Sequence, residues 1–142
     1  YVEFYSKEYN LDENLVYSII KAESKFKEDA VSRKGAKGLM QIGDGTRDWA
    51  AEELKLEKVD IFKPQDNIRI GCWYLNRLYR EFGDLDLVIA AYNGGSGNVK
   101  KWLADEEFSS DGENLETIPF KETASYVEKV KYNYEMYKKI YN

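Results

Sequence analysis

Apolar positions recur at three- and four-residue spacing in several separate stretches of this 142-residue chain, the period of a helix with one face turned to a core. The clearest stretch is residues 11–26. Leu15, Val16, Ile19, Ile20, Ala22 and Phe26 fall on one half of the helical wheel, and Tyr17, Ser18, Lys21, Ser24 and Lys25 on the other. Asp12 is placed to cap this helix by accepting a first-turn N–H, and Glu13 and Asn14 follow where the helix dipole tolerates negative charge. One position breaks the pattern. Glu23 lies about 80° from Leu15 on the wheel, inside the apolar face.

The same periodicity predicts the other elements. Residues 1–9 form a short helix with Val2, Tyr5 and Tyr9 on one side, ended by Asn10. Residues 31–38 lack a period and read as a loop, and Gly38-Leu39-Met40-Gln41-Ile42 is a short apolar piece expected to pack across the Glu23 helix. Thr46 is expected to cap a helix reaching Leu54, with Trp49, Ala50 and Leu54 inward. After a turn at Asp60–Pro64, Asn67 caps a long helix carrying Ile68, Cys72, Leu75, Leu78, Tyr79 and Phe82, closed by Gly83-Asp84. From Asp86, the run Leu87-Val88-Ile89-Ala90-Ala91-Tyr92 is apolar on all sides and reads as the central buried helix, broken by Asn93-Gly94-Gly95. Asn98 to Leu103 adds a turn or two, anchored by Val99 and Trp102. The acidic stretch 104–117 is the loop expected to be most mobile, and from Pro119 a long C-terminal helix carries Phe120, Val127, Val130, Tyr134, Tyr137 and Tyr141. No internal repeat and no strand signal stands out. The expected fold class is mainly α, six to eight helices in one domain spanning residues 1–142.

Composition removes several chemistries. The chain has no histidine, which excludes Ser-His and Cys-His catalysis and the usual zinc ligand; neither metal nor cofactor is expected. Whatever chemistry occurs runs on carboxylates and tyrosines. A net charge of −5 lacks the basic surface that nucleic acid requires, so no nucleic-acid partner is expected. No apolar run approaches the roughly 18 residues of a membrane span. Cys72 is the single cysteine and belongs to an apolar helical face, where it reads as core. The first residue is Tyr1 and not Met, from which a domain excised from a larger protein is expected, with any signal or anchor lying upstream.

Glu23 is the chemical candidate. A carboxyl withdrawn from water holds its proton more tightly and can serve as a general acid near neutral pH; the alternative is a glutamate that bonds a buried N–H or a lysine and does structural work.

Four ordered stretches resemble the catalytic domain of bacterial lytic transglycosylases of the soluble, lysozyme-like type. They are Ile20-Lys21-Ala22-Glu23-Ser24-Lys25-Phe26, Ser32-Arg33-Lys34-Gly35-Ala36-Lys37-Gly38-Leu39-Met40-Gln41, Ala90-Ala91-Tyr92-Asn93-Gly94-Gly95-Ser96-Gly97-Asn98-Val99, and Ile118-Pro119-Phe120-Lys121-Glu122-Thr123 with Tyr126-Val127. Asp66-Asn67-Ile68, Gly71 and Tyr74-Leu75 are similar to the family's connecting helix. The resemblance implies a lysozyme-like fold with a substrate groove, cleavage of the β-1,4 bond between N-acetylmuramic acid and N-acetylglucosamine in peptidoglycan, and an extracytoplasmic, cell-wall or secreted location. It implies Glu23 as the single catalytic acid/base. It makes Ser32 and Gln41 cleft residues, Tyr92 of the Tyr92-Asn93 pair the phenol that positions the carboxyl, and Glu122 and Tyr126 the far side of the groove, all counted with Asn93 as substrate-binding. The partner implied is the peptidoglycan glycan strand, met by a monomeric domain of a larger protein. Two departures stand out: Ile42-Gly43-Asp44 replaces the family's pair ending in Met-Pro, and Gly94 replaces an alanine, a change expected to loosen the loop.

Glycosidases that work with two carboxyls hold them about 5 Å apart when retaining and about 6.5–9.5 Å apart when inverting. Only Asp44 and Asp48 lie near enough to the cleft stretch to partner Glu23, and both read better as loop and helix-start residues. A carboxyl acting alone must serve first as acid and then as base, with the substrate's own 6-hydroxyl as nucleophile and a 1,6-anhydromuramoyl end as product. Two other readings stay open: a hydrolase of goose-type lysozyme or chitinase-like activity using water, and a non-catalytic glycan-binding or scaffolding module.

Overall fold

A computed structural model describes residues 1–141 and places seven α-helices in them. They are α1 (Val2–Glu8), α2 (Glu13–Ser24), α3 (Asp44–Glu53), α4 (Pro64–Phe82), α5 (Leu85–Gly94), α6 (Ser96–Leu103) and α7 (Lys121–Tyr141). The only extended pairings among the described residues are two isolated bridges, Val31 with Lys37 and Lys37 with Ile42. The mainly α expectation holds. The chain clusters into two compact units, one of residues 1–76 with the end of α7 from Asn133, the other of residues 77–132.

In the first unit α2 forms as its sequence dictates. Asp12 is extended and its Oδ1 accepts the Asn14 N–H at 2.9 Å. Leu15, Val16, Ile19 and Ile20 are wholly buried, and α1 packs against α2 through Val2 and Tyr5. Two features depart from the wheel. Ser18 and Ser24 are buried, because each hydroxyl donates to the carbonyl four residues earlier, Asn14 and Ile20, and so carries no unmet polarity inward. Phe26 is 48 % exposed. Lys25 and Phe26 both take left-handed backbone (φ +53° and +65°), which ends the helix at Ser24 and swings Phe26 off the apolar stripe; each such residue costs on the order of 1 kcal/mol.

Helix α3 starts at Asp44, not after a Thr46 cap, and Trp49 is 40 % exposed with its ring edge-on to buried Trp73 at 4.8 Å. Pro64 opens α4: its missing N–H is not needed in a first turn and its fixed φ suits it. Asn67 is therefore inside the helix and wholly buried. It accepts the Met40 N–H (2.8 Å) and donates to the carbonyls of Lys37 (2.9 Å) and Ile61 (2.8 Å). The Gly38–Ile42 piece is held on α4 by these bonds and by Gly71, where any side chain would strike Met40. Leu39, Met40 and Ile42 are buried as their apolarity requires. Cys72 is a core residue, and burial pushes its thiol up to about 12.

In the second unit Asp84 caps α5 by accepting the Leu87 N–H at 3.1 Å. Leu87 to Ala91 are buried on every side, which makes α5 the buried helix expected. Gly95 (φ +92°) ends it, and α6 starts at once, held by Asn98 donating to the Gly94 carbonyl at 2.7 Å. Gly94 is helical and tightly packed. A Cβ there would sit 3.0 Å from Thr123 Oγ1 and 3.3 Å from the Trp102 ring, so this glycine closes the packing where a looser loop was expected.

Candidate active site

The sequence-predicted residues divide between the units, with Glu23, Ser32 and Gln41 in the first and Tyr92, Asn93, Glu122 and Tyr126 in the second. Glu23 occupies the last turn of α2, one residue before its end, and is half-buried. The chain has 26 carboxylate side chains; taken as whole residues only Glu23 and Asp66 are less than exposed, and the Glu81 side chain, 30 % exposed, is paired with Lys100. Asp66 has a loop to hold: its Oδ2 accepts the Asp60 N–H at 3.0 Å. The two candidate partners of Glu23 are surface groups. Asp44 is 60 % exposed and paired with Lys37 (3.3 Å) and Arg47 (3.2 Å), and Asp48 is 71 % exposed and paired with Arg47 (3.0 Å). Charges so placed are neutralised in water and hold nothing in readiness for a buried reaction.

The loop after α2 is organised by the two residues expected to line a cleft. Ser32 is exposed; its Oγ accepts the Ala36 N–H at 3.1 Å, and its own N–H donates to the Ala36 carbonyl at 2.9 Å, with Gly35 (φ +85°) making the turn. Gln41 is half-buried in left-handed backbone (φ +52°), and its Nε2 donates to the carbonyls of Ala30 (3.1 Å) and Gly38 (2.9 Å). Backbone carbonyls thus meet the nitrogen side of the Gln41 amide. Arg33 and Lys34 are exposed, and Lys37 is half-buried and paired with Asp44.

In the second unit Tyr92 is half-buried in the last turn of α5. Asn93 Oδ1 accepts from Thr123 Oγ1 at 2.8 Å, which brings the Tyr92-Asn93 end of α5 to the start of α7, where Glu122 is exposed. Tyr126, one turn further along α7, is only 7 % exposed. The residue that sequence reading missed is Asn67, taken as a cap. The signal was present: Asn67 is in phase with Gly71, Leu75 and Leu78 on α4, a polar residue on an apolar stripe like Glu23 on α2.

Residues 1–115 match the transglycosylase SLT domain. The chain belongs to that family. This SLT domain is 33 % identical over 132 residues to the soluble lytic murein transglycosylase of Salmonella typhimurium and 36 % identical over 127 residues to a putative soluble lytic murein transglycosylase of Haemophilus influenzae. Those alignments cover 89 % and 85 % of the chain but 20 % and 21 % of the relatives, so the chain spans about a fifth of their length. The fold is similar to that of an inactive mutant of lytic transglycosylase Slt from Pseudomonas aeruginosa (TM-score 0.86, 33 % identity, 97 % of this chain and 23 % of that one). It is also similar to the 70 kDa soluble lytic transglycosylase of Escherichia coli (TM-score 0.84, 27 % identity, 98 % and 24 %). The SLT domain thus has a mainly α, lysozyme-like fold. No helix of the described residues is long and apolar enough to cross a membrane.

Proposed function

We propose that this SLT domain cleaves the β-1,4 bond between N-acetylmuramic acid and N-acetylglucosamine in peptidoglycan without water, leaving 1,6-anhydromuramoyl ends, with Glu23 as the single acid/base and residues 1–142 acting as one catalytic domain. The observation that carries this reading is the setting of Glu23: it is half-buried in the last turn of α2, on the wheel face that carries the buried Leu15, Val16, Ile19 and Ile20, whereas Asp44 and Asp48 are exposed and ion-paired. Its place at the carbonyl end of α2 also disfavours the ionised form, which suits a group that must donate a proton first.

Glu23 gives its proton to the glycosidic oxygen as the C1–O bond breaks, and the N-acetylglucosamine side leaves as an alcohol. The 2-acetamido group holds C1 in the interval. Glu23, now ionised, takes the proton of the 6-hydroxyl as that oxygen bonds to C1, so every atom of the substrate stays in the products. The 6-hydroxyl is already tethered to the reacting ring, which removes the entropy of capturing water. The family resemblance supports Ser32, Gln41, Tyr92, Asn93, Glu122 and Tyr126 as saccharide-contacting residues, with Tyr92 stabilising charge at the reacting centre. It also supports action outside the cytoplasm, on glycan strands, as a part of a larger protein.

Digestion of purified peptidoglycan by the wild type and by Glu23→Gln tests this. The wild type is expected to release muropeptides, and the variant to lose about 10²-fold or more of the rate while remaining folded by circular dichroism. Undiminished lysis by a folded Glu23→Gln would leave the domain a role in binding or scaffolding and contradict the proposal.

A further inference from the structure

A cavity of about 500 Å³ lies in the first unit, between α1, α2 and the end of α7. Its walls are aromatic: Tyr17, Phe26, Tyr137 and Tyr141. The Tyr17 and Tyr137 rings are 5.9 Å apart and Tyr137 stacks on Tyr141 at 6.0 Å, so three phenols form one continuous row. Phe26 reaches this place because the left-handed pair at Lys25 and Phe26 carries it off the apolar stripe of α2. The volume suits a side-chain-sized guest.

Three acceptor-bearing groups complete the lining. Asn14 is only 5 % exposed, its side-chain amide bonds to no described residue, and it faces this cavity. Its amide oxygen is an acceptor on the cavity wall. Glu3 and Glu13 stand at the rim, and neither forms an ion pair with a described residue. Their charges act on the cavity: burial, then Glu13, then Glu3 push the Tyr17 phenol above its ordinary value. Negative ring faces, two unpaired carboxylates and an amide oxygen all favour a cation.

We propose that this cavity binds an alkylammonium group of the lysine side-chain class, its methylenes along the tyrosine row and its amine between Asn14 and the Glu3 and Glu13 carboxylates. The site uses none of the residues assigned to glycan cleavage. Nα-acetyl-lysine N-methylamide, added to the ¹⁵N-labelled protein, is expected to shift the amide signals of Asn14, Tyr17, Phe26, Tyr137 and Tyr141 saturably, while its norleucine counterpart, which lacks the charge, is not. The paired change Glu3→Gln with Glu13→Gln, both at exposed positions, should weaken binding about tenfold with the fold intact. Glu23→Gln should leave binding unchanged, which separates this proposal from the catalytic one. Equal shifts with the norleucine compound would show an apolar slot, shifts with N-acetylglucosamine instead would show a sugar site, and no shifts with lysine would show no ligand site; each overturns the proposal.

Discussion

At the scale of single residues, environment decides what each titratable group can do. Cys72 is buried with its thiol near 12, so the reactive thiolate is nearly absent at neutral pH. Native protein at pH 8 is expected to resist a thiol reagent and to react fully once denatured; fast labelling of the native chain would contradict that burial. Asp111 is the opposite case. It is fully exposed, yet the backbone N–H of Asn114, that of Glu113 and the Asn114 side chain bond its carboxylate and hold it at about 2, below the ordinary 3.8. Its folded value is lowered, so the stabilisation of the 109–114 turn is complete above about pH 4 and is lost as pH falls toward 2. An NMR titration should place the Asp111 midpoint well below that of the other exposed aspartates, and Asp111→Ala should remove the exchange protection of the Glu113 and Asn114 amides. The same scale shows what the sequence made legible. A helical wheel was enough to mark Glu23 as out of place among Leu15, Val16, Ile19 and Ile20. It could not show that Ser18 and Ser24 turn inward, since that depends on hydroxyls bonding their own helix, nor that Phe26 leaves the stripe, since that depends on two residues taking a conformation neither one favours.

At the scale of elements, caps and periodicity were read well where the cause is local and poorly where it is distant. Asp12 capping α2 and the all-apolar α5 needed only their own neighbours. The start of α4 was misplaced because the role of Asn67 is set by Met40, Lys37 and Ile61, up to thirty residues away. Asn67→Ala is expected to cost about 3 kcal/mol, since it removes three bonds and leaves buried backbone groups unpaired, and to lower Tm by roughly 10 °C. Gly38→Ala should be at least as damaging, because φ is +79° there and a Cβ would lie 2.8 Å from the Ile61 carbonyl oxygen as well as against Asn67. Calorimetry on the two variants checks both; an unchanged Tm for either would contradict the loop anchoring described. The Ser32 and Gln41 bonds belong to the same loop, so Asn67→Ala should also lower activity on peptidoglycan through the loop, without touching Glu23.

At the scale of the whole molecule, lack of histidine and a single buried cysteine remove imidazole and thiolate chemistry and leave proton transfer to carboxylates, phenols and lysine amines. The four motif stretches were legible as a family pattern because each is short and local. Their division between two units was not, since the clustering of residues 133–141 with residues 1–76 depends on long-range packing that no local period encodes. The claim that organises the rest is that one carboxyl cleaves the glycan by shuttling a proton, with no water consumed. Digestion of peptidoglycan in H₂¹⁸O, followed by mass spectrometry of the released muropeptides, tests it most directly. The account predicts fragments one water lighter than their reducing counterparts and free of ¹⁸O. Reducing-end fragments carrying ¹⁸O at the cleaved position would show hydrolysis and contradict it.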